Sequence, residues 1–233
     1  MYHTVITGAT KGIGRALVET FAQEGHELAV CARHTDELQQ LREEISQRFP
    51  GTKLHTHRAD LSTREGAEAF ADYVQGLWGG QVDVLVNNAG VFMPGGVSDI
   101  ADDGSFEAML HLNVLGVHYL TRALLPGMLS RQSGHIFTLC SIASFMPYGA
   151  YSVSKFALLG YTKSLRKELH DKGIRVTAVM PGATKTASWD GVDLPDERFM
   201  PAEDVAAAIL SAWKMSPRTV VEEIVLRPQL GDL

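Results

Sequence analysis

A glycine-rich turn near the amino terminus constrains the fold of this chain most strongly. The apolar run from Tyr2 to Ile6 is typical of a buried strand, and glycines follow at positions 8, 12 and 14. Apolar residues then recur at helical spacing through Ala22, which gives the order strand, glycine turn, helix. A helix amino terminus presents unpaired N–H groups, and glycines let a phosphate group approach the backbone closely. The stretch therefore predicts either a dinucleotide cradle or a turn of purely structural character.

Composition places the chain among ordinary globular proteins and argues against several functions. Its 233 residues are 45% hydrophobic, which suits one domain over residues 1–233. The net charge of −6 argues against nucleic acid as a partner, and no apolar run is long enough for a membrane span. Two cysteines in apolar runs and no signal peptide predict a cytoplasmic protein without disulfides. The histidines are scattered, so we expect no metal site.

Strands and helices alternate along the rest of the chain. Apolar and β-branched runs predict seven strands, at 2–6, 27–32, 53–57, 82–86, 135–140, 174–180 and 220–226. Helical patterns lie between them: one after the glycine turn, one capped near Ser62 or Thr63, and others at 36–49, 105–130, 150–172 and 203–215. This alternation predicts a Rossmann-type doubly wound parallel sheet with helices on both faces, in three α/β/α layers. Ligands in such folds bind beyond the carboxyl ends of the strands.

Charged residues follow the second and third predicted strands. Arg33 stands where a site preferring NAD often carries an acid, and arginine suits a 2′-phosphate instead. Lys11 in the glycine turn adds a second positive charge, so the pair predicts NADP(H), unless both are simply solvated surface charges. Asp60 after the third strand could accept a hydrogen bond from an adenine amino group, or it could cap the next helix.

The sequence Asn87-Asn88-Ala89-Gly90 follows the fourth predicted strand. Two adjacent amides behind a buried strand can tie strand ends together through side-chain hydrogen bonds. The small pair Ala89-Gly90 would let a flat ring lie against the backbone. The other interpretation is an ordinary turn, for which Asn and Gly are well suited.

A tyrosine and a lysine follow the fifth predicted strand at a spacing of four residues. Tyr151 and Lys155 therefore share one face of a helix, and Ser141 leaves the strand before them. An ammonium close to a phenol favours the phenolate, so Tyr151 could exchange a proton with a carbonyl or alcohol oxygen. Ser141 could hydrogen-bond the same oxygen. A Tyr/Lys pair on a plain amphipathic helix is the alternative.

Together these motifs resemble the short-chain dehydrogenase/reductase family in its compact single-domain form. The matching residues occur in family order: Thr7 to Gly14, Asn87 to Gly90, Asn113, Ser141, Tyr151 to Lys155, Pro181 and Gly182. The resemblance implies that Tyr151 is the acid/base and that Lys155 supports it and holds the nicotinamide ribose. It also implies that Ser141 orients the substrate and that Asn113 assists a proton-relaying water chain.

The resemblance further implies NADP(H) as the cofactor. Its expected binding residues are Gly8, Thr10, Lys11, Gly12, Ile13, Gly14, Arg33, Asp60, Leu61, Asn87, Ala89, Gly90, Tyr151, Lys155, Pro181, Gly182, Thr184 and Thr186. A substrate lid is expected at about 187–200, with Trp189, Val192, Leu194 and Phe199. An apolar pocket is expected from Phe92, Met93, Phe145, Met146 and Tyr148, although all these residues could equally be ordinary loop packing. The loop between Ser141 and Tyr151 is short for the family.

The expected function is an NADP(H)-dependent oxidoreductase that interconverts a carbonyl and an alcohol by hydride transfer. The alternative is a non-catalytic nucleotide-sensing regulator on the same fold, although such proteins tend to lose the tyrosine or the lysine. Among small-molecule substrates, 3-oxoacyl thioesters, pterin side-chain ketones, sugars and small ketones stay open. The two long predicted helices suggest a homodimer or a homotetramer.

Overall fold

One parallel β-sheet forms the centre of the computed structural model, which describes residues 1–99, 103–186, 189, 191 and 193–232. In these residues seven strands pair in parallel. They are His3–Thr7 (β1), Glu27–Ala32 (β2), Leu54–Arg58 (β3), Val84–Asn87 (β4), Gly134–Leu139 (β5), Ile174–Pro181 (β6) and Glu223–Leu226 (β7). Their order in the sheet is β3-β2-β1-β4-β5-β6-β7. The predicted fold class is confirmed.

Helices cover both faces of the sheet. They span Gly12–Gln23 (α1), Thr35–Arg48 (α2), Arg64–Trp78 (α3), Ser105–Leu110 (α4), Val117–Arg131 (α5), Gly149–Leu169 (α6) and Ala202–Trp213 (α7). One apolar core joins the sheet to α1, α2 and α7, and a second core on the other face joins it to α3, α5 and α6. The sheet is buried from both sides, which explains the unbroken apolar runs of its central strands.

Burial of large side chains in the two cores stabilises this layered arrangement. Phe21 of α1 and Phe70 of α3 are fully buried, and they lie on opposite faces of the sheet. Each such side chain contributes about 1.5–3 kcal/mol relative to an exposed one. The cores therefore fix the helices against the sheet, and the loops at the strand ends are attached to rigid elements.

The strand order reverses beside β1. The chain adds β2 and β3 on one side of β1, and then returns to place β4 on the other side. The loops after β1 and β4 consequently diverge at the carboxyl edge of the sheet. A crevice opens at such a switch point, and the glycine turn after β1 lies at its edge.

The helix expected over 105–130 differs from the prediction. The structure has α4, then a π-helical segment at His111–Gly116, then α5. A Cβ on Gly116 would lie 2.1 Å from the Leu61 carbonyl oxygen, so this segment passes close to another backbone. A π segment inserts an extra residue into a helix and often occurs at functional sites.

Two further observations concern the edges of the fold. The fourth strand begins at Val84 rather than at the predicted Val82, because Val82 still belongs to a turn in which its N–H donates to Gly80 O at 3.1 Å. No helix in the described ranges combines the length and the hydropathy that crossing a bilayer requires.

Candidate active site

A cleft of about 910 Å³ lies at the carboxyl edge of the sheet. Its walls come from the glycine turn and from the segments that follow β2, β3, β4, β5 and β6. Most residues predicted to bind cofactor or substrate line it. They are Gly8, Thr10, Lys11, Gly12, Ile13, Gly14, Arg33, Leu61, Ala89, Gly90, Ser141, Tyr151, Lys155, Pro181, Gly182, Thr184 and Thr186.

The glycine turn has a backbone that side chains would obstruct. Gly8 and Gly12 have φ of +63° and +51°, in the left-handed region that favours glycine. A Cβ on Gly14 would lie 2.0 Å from the Gly8 carbonyl oxygen. The turn therefore packs tightly on the start of α1. No side chain caps α1, so the first N–H groups of this helix can receive an anion.

Side-chain hydrogen bonds tie the end of β4 to the end of β1. The Asn88 Nδ2 donates to Thr7 O at 2.8 Å and to Gly8 O at 3.1 Å. The Thr7 hydroxyl oxygen accepts from the N–H groups of Asn88 and Ala89, both at 2.9 Å. These bonds hold the glycine turn against the Ala89-Gly90 wall. Of the two adjacent amides, Asn88 makes this tie.

Asn87 lies behind the wall of the cleft. Its side chain is buried, and its Nδ2 donates to the Thr121 hydroxyl at 3.0 Å, which anchors β4 to α5. Asp60 also stays outside the lining. Its exposed carboxylate accepts from the N–H and hydroxyl of Ser62, at 3.0 and 2.7 Å, and these bonds lower its pKa. The N-cap of α3 is Thr63, whose hydroxyl oxygen accepts from Gly66 N–H.

Asn113 connects three parts of the site from within the π segment. The residue is fully buried, and its Oδ1 accepts from Val91 N–H at 2.8 Å. Its Nδ2 donates to Val91 O at 2.9 Å and to the Ser154 hydroxyl at 3.0 Å. It does not line the cleft. It instead fixes the loop after β4 relative to α6, the helix that carries Tyr151 and Lys155.

Tyr151 and Lys155 project from the first turns of α6 into the cleft. The Lys155 ammonium is buried, lies 5.6 Å from the centre of the Tyr151 ring and donates to Leu139 O at 2.8 Å. The Phe92 ring meets the Tyr151 ring edge-on, with centres 5.2 Å apart. These contacts restrict both the phenol and the ammonium to one region of the cleft.

Ser141 begins the short loop after β5. Its Oγ accepts from Ala143 N–H at 3.1 Å, and Ser144 Oγ accepts from Ser141 N–H at 3.3 Å, which makes a reciprocal capping box. The hydroxyl is therefore held in place while it retains a proton to donate. Ser141, Tyr151 and Lys155 line the same cleft.

A charged rim surrounds the outer end of the cleft, beside the glycine turn. The Lys11 Nζ lies 2.8 Å from Glu37 Oε1, and the Thr10 hydroxyl donates to Glu37 Oε2 at 2.8 Å. Arg33 lines the cleft nearby, and its backbone carbonyl accepts from Arg58 Nε at 3.1 Å. The expected cationic pair is present at this rim, together with an acid that the sequence reasoning missed.

The wall opposite the glycine turn comes from the segment after β6. The Thr184 hydroxyl donates to Gly182 O at 3.0 Å, and Thr184 pairs with Met200 in an isolated β-bridge. Part of the expected lid, residues 187, 188, 190 and 192, lies outside the described residues. Trp189 lines the cleft and its ring contacts that of Phe199, with centres 5.2 Å apart.

The expected apolar pocket is only partly assembled. Phe92 and Tyr148 line the cleft, whereas Met93, Phe145 and Met146 are not among the lining residues, and neither is Leu194 of the lid. The Phe145 ring lies instead below the Arg227 guanidinium, at 5.7 Å. No group of three or more His, Cys, Asp or Glu side chains in the described part of the chain could hold a metal ion.

Comparisons with known proteins identify the family of this chain. A family model described as short chain dehydrogenase matches residues 2–195. The chain belongs to the short-chain dehydrogenase family. A sepiapterin reductase from Chlorobaculum tepidum is 36% identical over 242 aligned positions, which cover 98% of this chain and 97% of the relative. The resemblance to this family of oxidoreductases is thereby confirmed.

Solved structures of the short-chain dehydrogenase family superpose closely on the chain. An alcohol dehydrogenase from the archaeon Thermococcus sibiricus, complexed with 5-hydroxy-NADP, has a TM-score of 0.89 at 30% identity, covering 98% of this chain and 97% of that one. L-sorbose reductase from Gluconobacter frateurii, complexed with NADPH and L-sorbose, has a TM-score of 0.88 at 29% identity, covering 97% and 95%.

Sequence reasoning missed three residues that shape the site of this short-chain dehydrogenase. They are Thr7 and Ser154, whose hydroxyls hold Asn88 and Asn113, and Glu37, which faces Lys11. Thr7 and Ser154 lie inside the Thr7-to-Gly14 and Tyr151-to-Lys155 motifs. The motifs therefore contain both residues but do not reveal their hydrogen-bond partners. Glu37 carried no signal, because its partner lies 26 residues earlier in the chain.

Proposed function

We propose that this short-chain dehydrogenase is an NADP(H)-dependent oxidoreductase that interconverts a carbonyl and an alcohol. The observation that carries the proposal is that Tyr151, Lys155 and Ser141 line one cleft together with the glycine turn. A phenol, an ammonium and a hydroxyl provide proton exchange and hydrogen bonding for one substrate oxygen. The uncapped start of α1 supports pyrophosphate binding beside them.

The residues present fit a nicotinamide dinucleotide. The glycine turn lines the cleft with backbone that carries no side chains at Gly8, Gly12 and Gly14, and Ala89 and Gly90 form a wall of small residues. Lys11 and Arg33 would hold the 2′-phosphate, while Pro181, Gly182, Thr184 and Thr186 would enclose the nicotinamide. When bound, the cofactor supplies or takes the hydride. Asp60 and Asn87 would act indirectly, since they support the Leu61 and Ala89 walls.

The proton is handled by Tyr151. During reduction its hydroxyl gives a proton to the substrate oxygen, and during oxidation the phenolate takes the proton back. Lys155 stabilises the phenolate through its buried positive charge, which water screens poorly. Ser141 donates a hydrogen bond to the same oxygen, because its Oγ is already oriented by Ala143 N–H. Asn113 positions α6 through Ser154.

The substitution Tyr151→Phe tests the proposed mechanism. We expect it to abolish turnover while NADPH binding stays nearly unchanged, because the ring is kept and only the hydroxyl is lost. Turnover should be measured with NADPH and with NADH against a carbonyl panel that includes sepiapterin and L-sorbose. Retained activity in this variant would refute the role of Tyr151. A wild-type chain that binds NADPH but reduces nothing would favour a nucleotide-sensing regulator.

A charge reversal tests the cofactor preference. We expect Arg33→Asp to weaken NADPH binding strongly and NADH binding far less, because only NADPH carries a 2′-phosphate. Equal losses for both cofactors would remove Arg33 from phosphate recognition. Titrations of cofactor fluorescence give both dissociation constants directly.

The remaining proposals concern the organisation of the protein. We assign one domain to residues 1–233, with a substrate lid at about 187–200, and a homodimer or homotetramer built through the long helices. Val153 and Phe156 are exposed on α6 and support such packing. Light scattering after size-exclusion chromatography would measure the assembly. The two cysteines, Cys31 and Cys140, are buried and unpaired, which supports a cytoplasmic location.

A further inference from the structure

Lys11 and Arg33 form the proposed 2′-phosphate clamp, and an acidic side chain lies beside Lys11. Glu37 belongs to the first turn of α2 and lines the cleft together with Lys11, Arg33 and His34. Its Oε1 is 2.8 Å from Lys11 Nζ, and its Oε2 accepts from the Thr10 hydroxyl at 2.8 Å. Half of the positive charge available to a phosphate is thus already paired with an anion.

Several contacts keep Glu37 ionised at neutral pH. The hydrogen bond from Lys11, followed by that from Thr10, lowers the pKa of its carboxyl group. The first turn of a helix also favours a negative charge, through the unpaired N–H groups there. A negatively charged phosphate entering the rim would therefore meet two cations and one fixed anion.

The Lys11–Glu37 pair can open when a ligand arrives. The side chains of Lys11 and Glu37 are 64% and 29% exposed, and ion pairs in such positions contribute about 0–1 kcal/mol. Lys11 can therefore turn towards a phosphate at small cost. Glu37 stays beside the phosphate, because it is also bound by Thr10 in the glycine turn.

We propose that Glu37 is a specificity-determining residue that opposes the 2′-phosphate of NADPH. The site then selects NADPH over NADH less strongly than Lys11 and Arg33 alone would allow. This inference rests on the proposed function, because it assumes that the cleft binds a nicotinamide dinucleotide. It adds an element that the motif-based prediction of a purely cationic clamp did not contain.

The test compares Glu37→Gln with the wild-type chain. Glutamine keeps the size of the side chain and an oxygen that can accept from Thr10, while the negative charge is removed. Dissociation constants for NADPH and NADH should be measured by fluorescence titration at fixed salt concentration. We expect NADPH to bind about tenfold more tightly and NADH to change less than about twofold, since only the phosphate meets the lost charge.

A matched control removes the same charge elsewhere on α2. Glu43 lies six residues further along the helix and accepts a hydrogen bond from Gln39 at 3.0 Å. Glu43→Gln should leave both dissociation constants within about twofold of wild type, because salt screens exposed charges beyond about 8 Å. An equal gain in both variants would show a general charge effect and overturn the proposal.

The possible outcomes separate this inference from the proposed function. If the wild-type chain binds NADPH and Glu37→Gln leaves the affinity for NADPH relative to that for NADH unchanged, Glu37 has no role in specificity. The proposed function then still stands. If the wild-type chain binds neither cofactor, both proposals fail. A rise in the affinity for NADPH relative to that for NADH, confined to Glu37→Gln, supports the inference.

Discussion

Replacement of Asn113 by alanine should damage both the stability and the site. The wild-type amide makes three hydrogen bonds, to Val91 N–H at 2.8 Å, to Val91 O at 2.9 Å and to the Ser154 hydroxyl at 3.0 Å. The residue has no exposed surface. Alanine cannot replace any of these bonds, so the π segment loses its side-chain bonds to the loop after β4 and to helix α6, while the bond from Ala150 N–H to Gly95 O, at 3.0 Å, still joins that loop to α6.

The expected loss of stability follows from these bonds. A buried hydrogen bond contributes about 1 kcal/mol net, so three of them give a loss of about 3 kcal/mol in the free energy of unfolding. Urea unfolding monitored by tryptophan fluorescence measures this change. Thr162→Val is a suitable control, because it removes one buried hydroxyl bond, to Leu158 O at 2.7 Å, from the same helix. It should cost about 1 kcal/mol.

The activity should separate the two variants further. Ser154 also donates to Tyr151 O at 2.8 Å, so the bond from Asn113 orients the turn that carries Tyr151 and Lys155. A displacement of reacting groups by about 1 Å can cost roughly 100-fold, and we expect a loss of that order in kcat/KM for Asn113→Ala. Thr162→Val should keep the wild-type value. Folded Asn113→Ala protein with full activity would refute this account of its role.

Two further predictions concern stability. Burial lowers the pKa of His26 to about 4 and that of His135 to about 2, from 6.5, so both stay neutral in the folded chain. Their contribution to the free energy of unfolding is complete above pH 6.5 and is lost as the pH falls towards those values. Urea unfolding should show about 3 kcal/mol less stability at pH 5.5 than at pH 7.5. His135→Leu should halve that difference. Gly14→Ala places a Cβ 2.0 Å from Gly8 O and should cost about 3 kcal/mol by the same assay, whereas Gly76→Ala, in an open helical position, should stabilise by up to about 1 kcal/mol. Measured losses of equal size at Gly14 and Gly76 would contradict the packing argument.

The sheet could be predicted from sequence because each strand carries its own apolar, β-branched pattern within a few consecutive residues. The run Val84-Leu85-Val86 is fully buried, and its apolar, β-branched character predicts a strand covered on both faces. The π segment at His111–Gly116 could not be predicted in the same way. It depends on the approach of Gly116 to the Leu61 backbone and on the bonds of Asn113 to Val91, both made by residues distant in sequence.

The residues of the site also differ in whether local sequence spacing could predict their positions. Tyr151 and Lys155 were predictable because a spacing of four places them on one helical face, and both line the cleft. Asp60 and Asn87 were placed by motif alone, and the structure gives Asp60 a local partner, Ser62, and Asn87 a distant one, Thr121, both outside the lining. Spacing reveals which residues share a face of a helix. It does not reveal which polar groups a side chain will meet across the sheet.

The glycine turn shows how one motif combines separate physical requirements. Gly8 and Gly12 need a left-handed backbone, whereas Gly14 has no positive φ and needs close approach to Gly8 O. A Cβ on Gly12 would lie 2.8 Å from the Thr186 methyl group, on the opposite wall of the cleft. The absence of a side chain at Gly12 therefore lets Thr186 approach the glycine turn closely, and Gly14 holds the turn on α1. A substitution at Gly12 should strain the turn and displace Thr186, so it should weaken both folding and cofactor binding, whereas one at Gly14 should act on folding first.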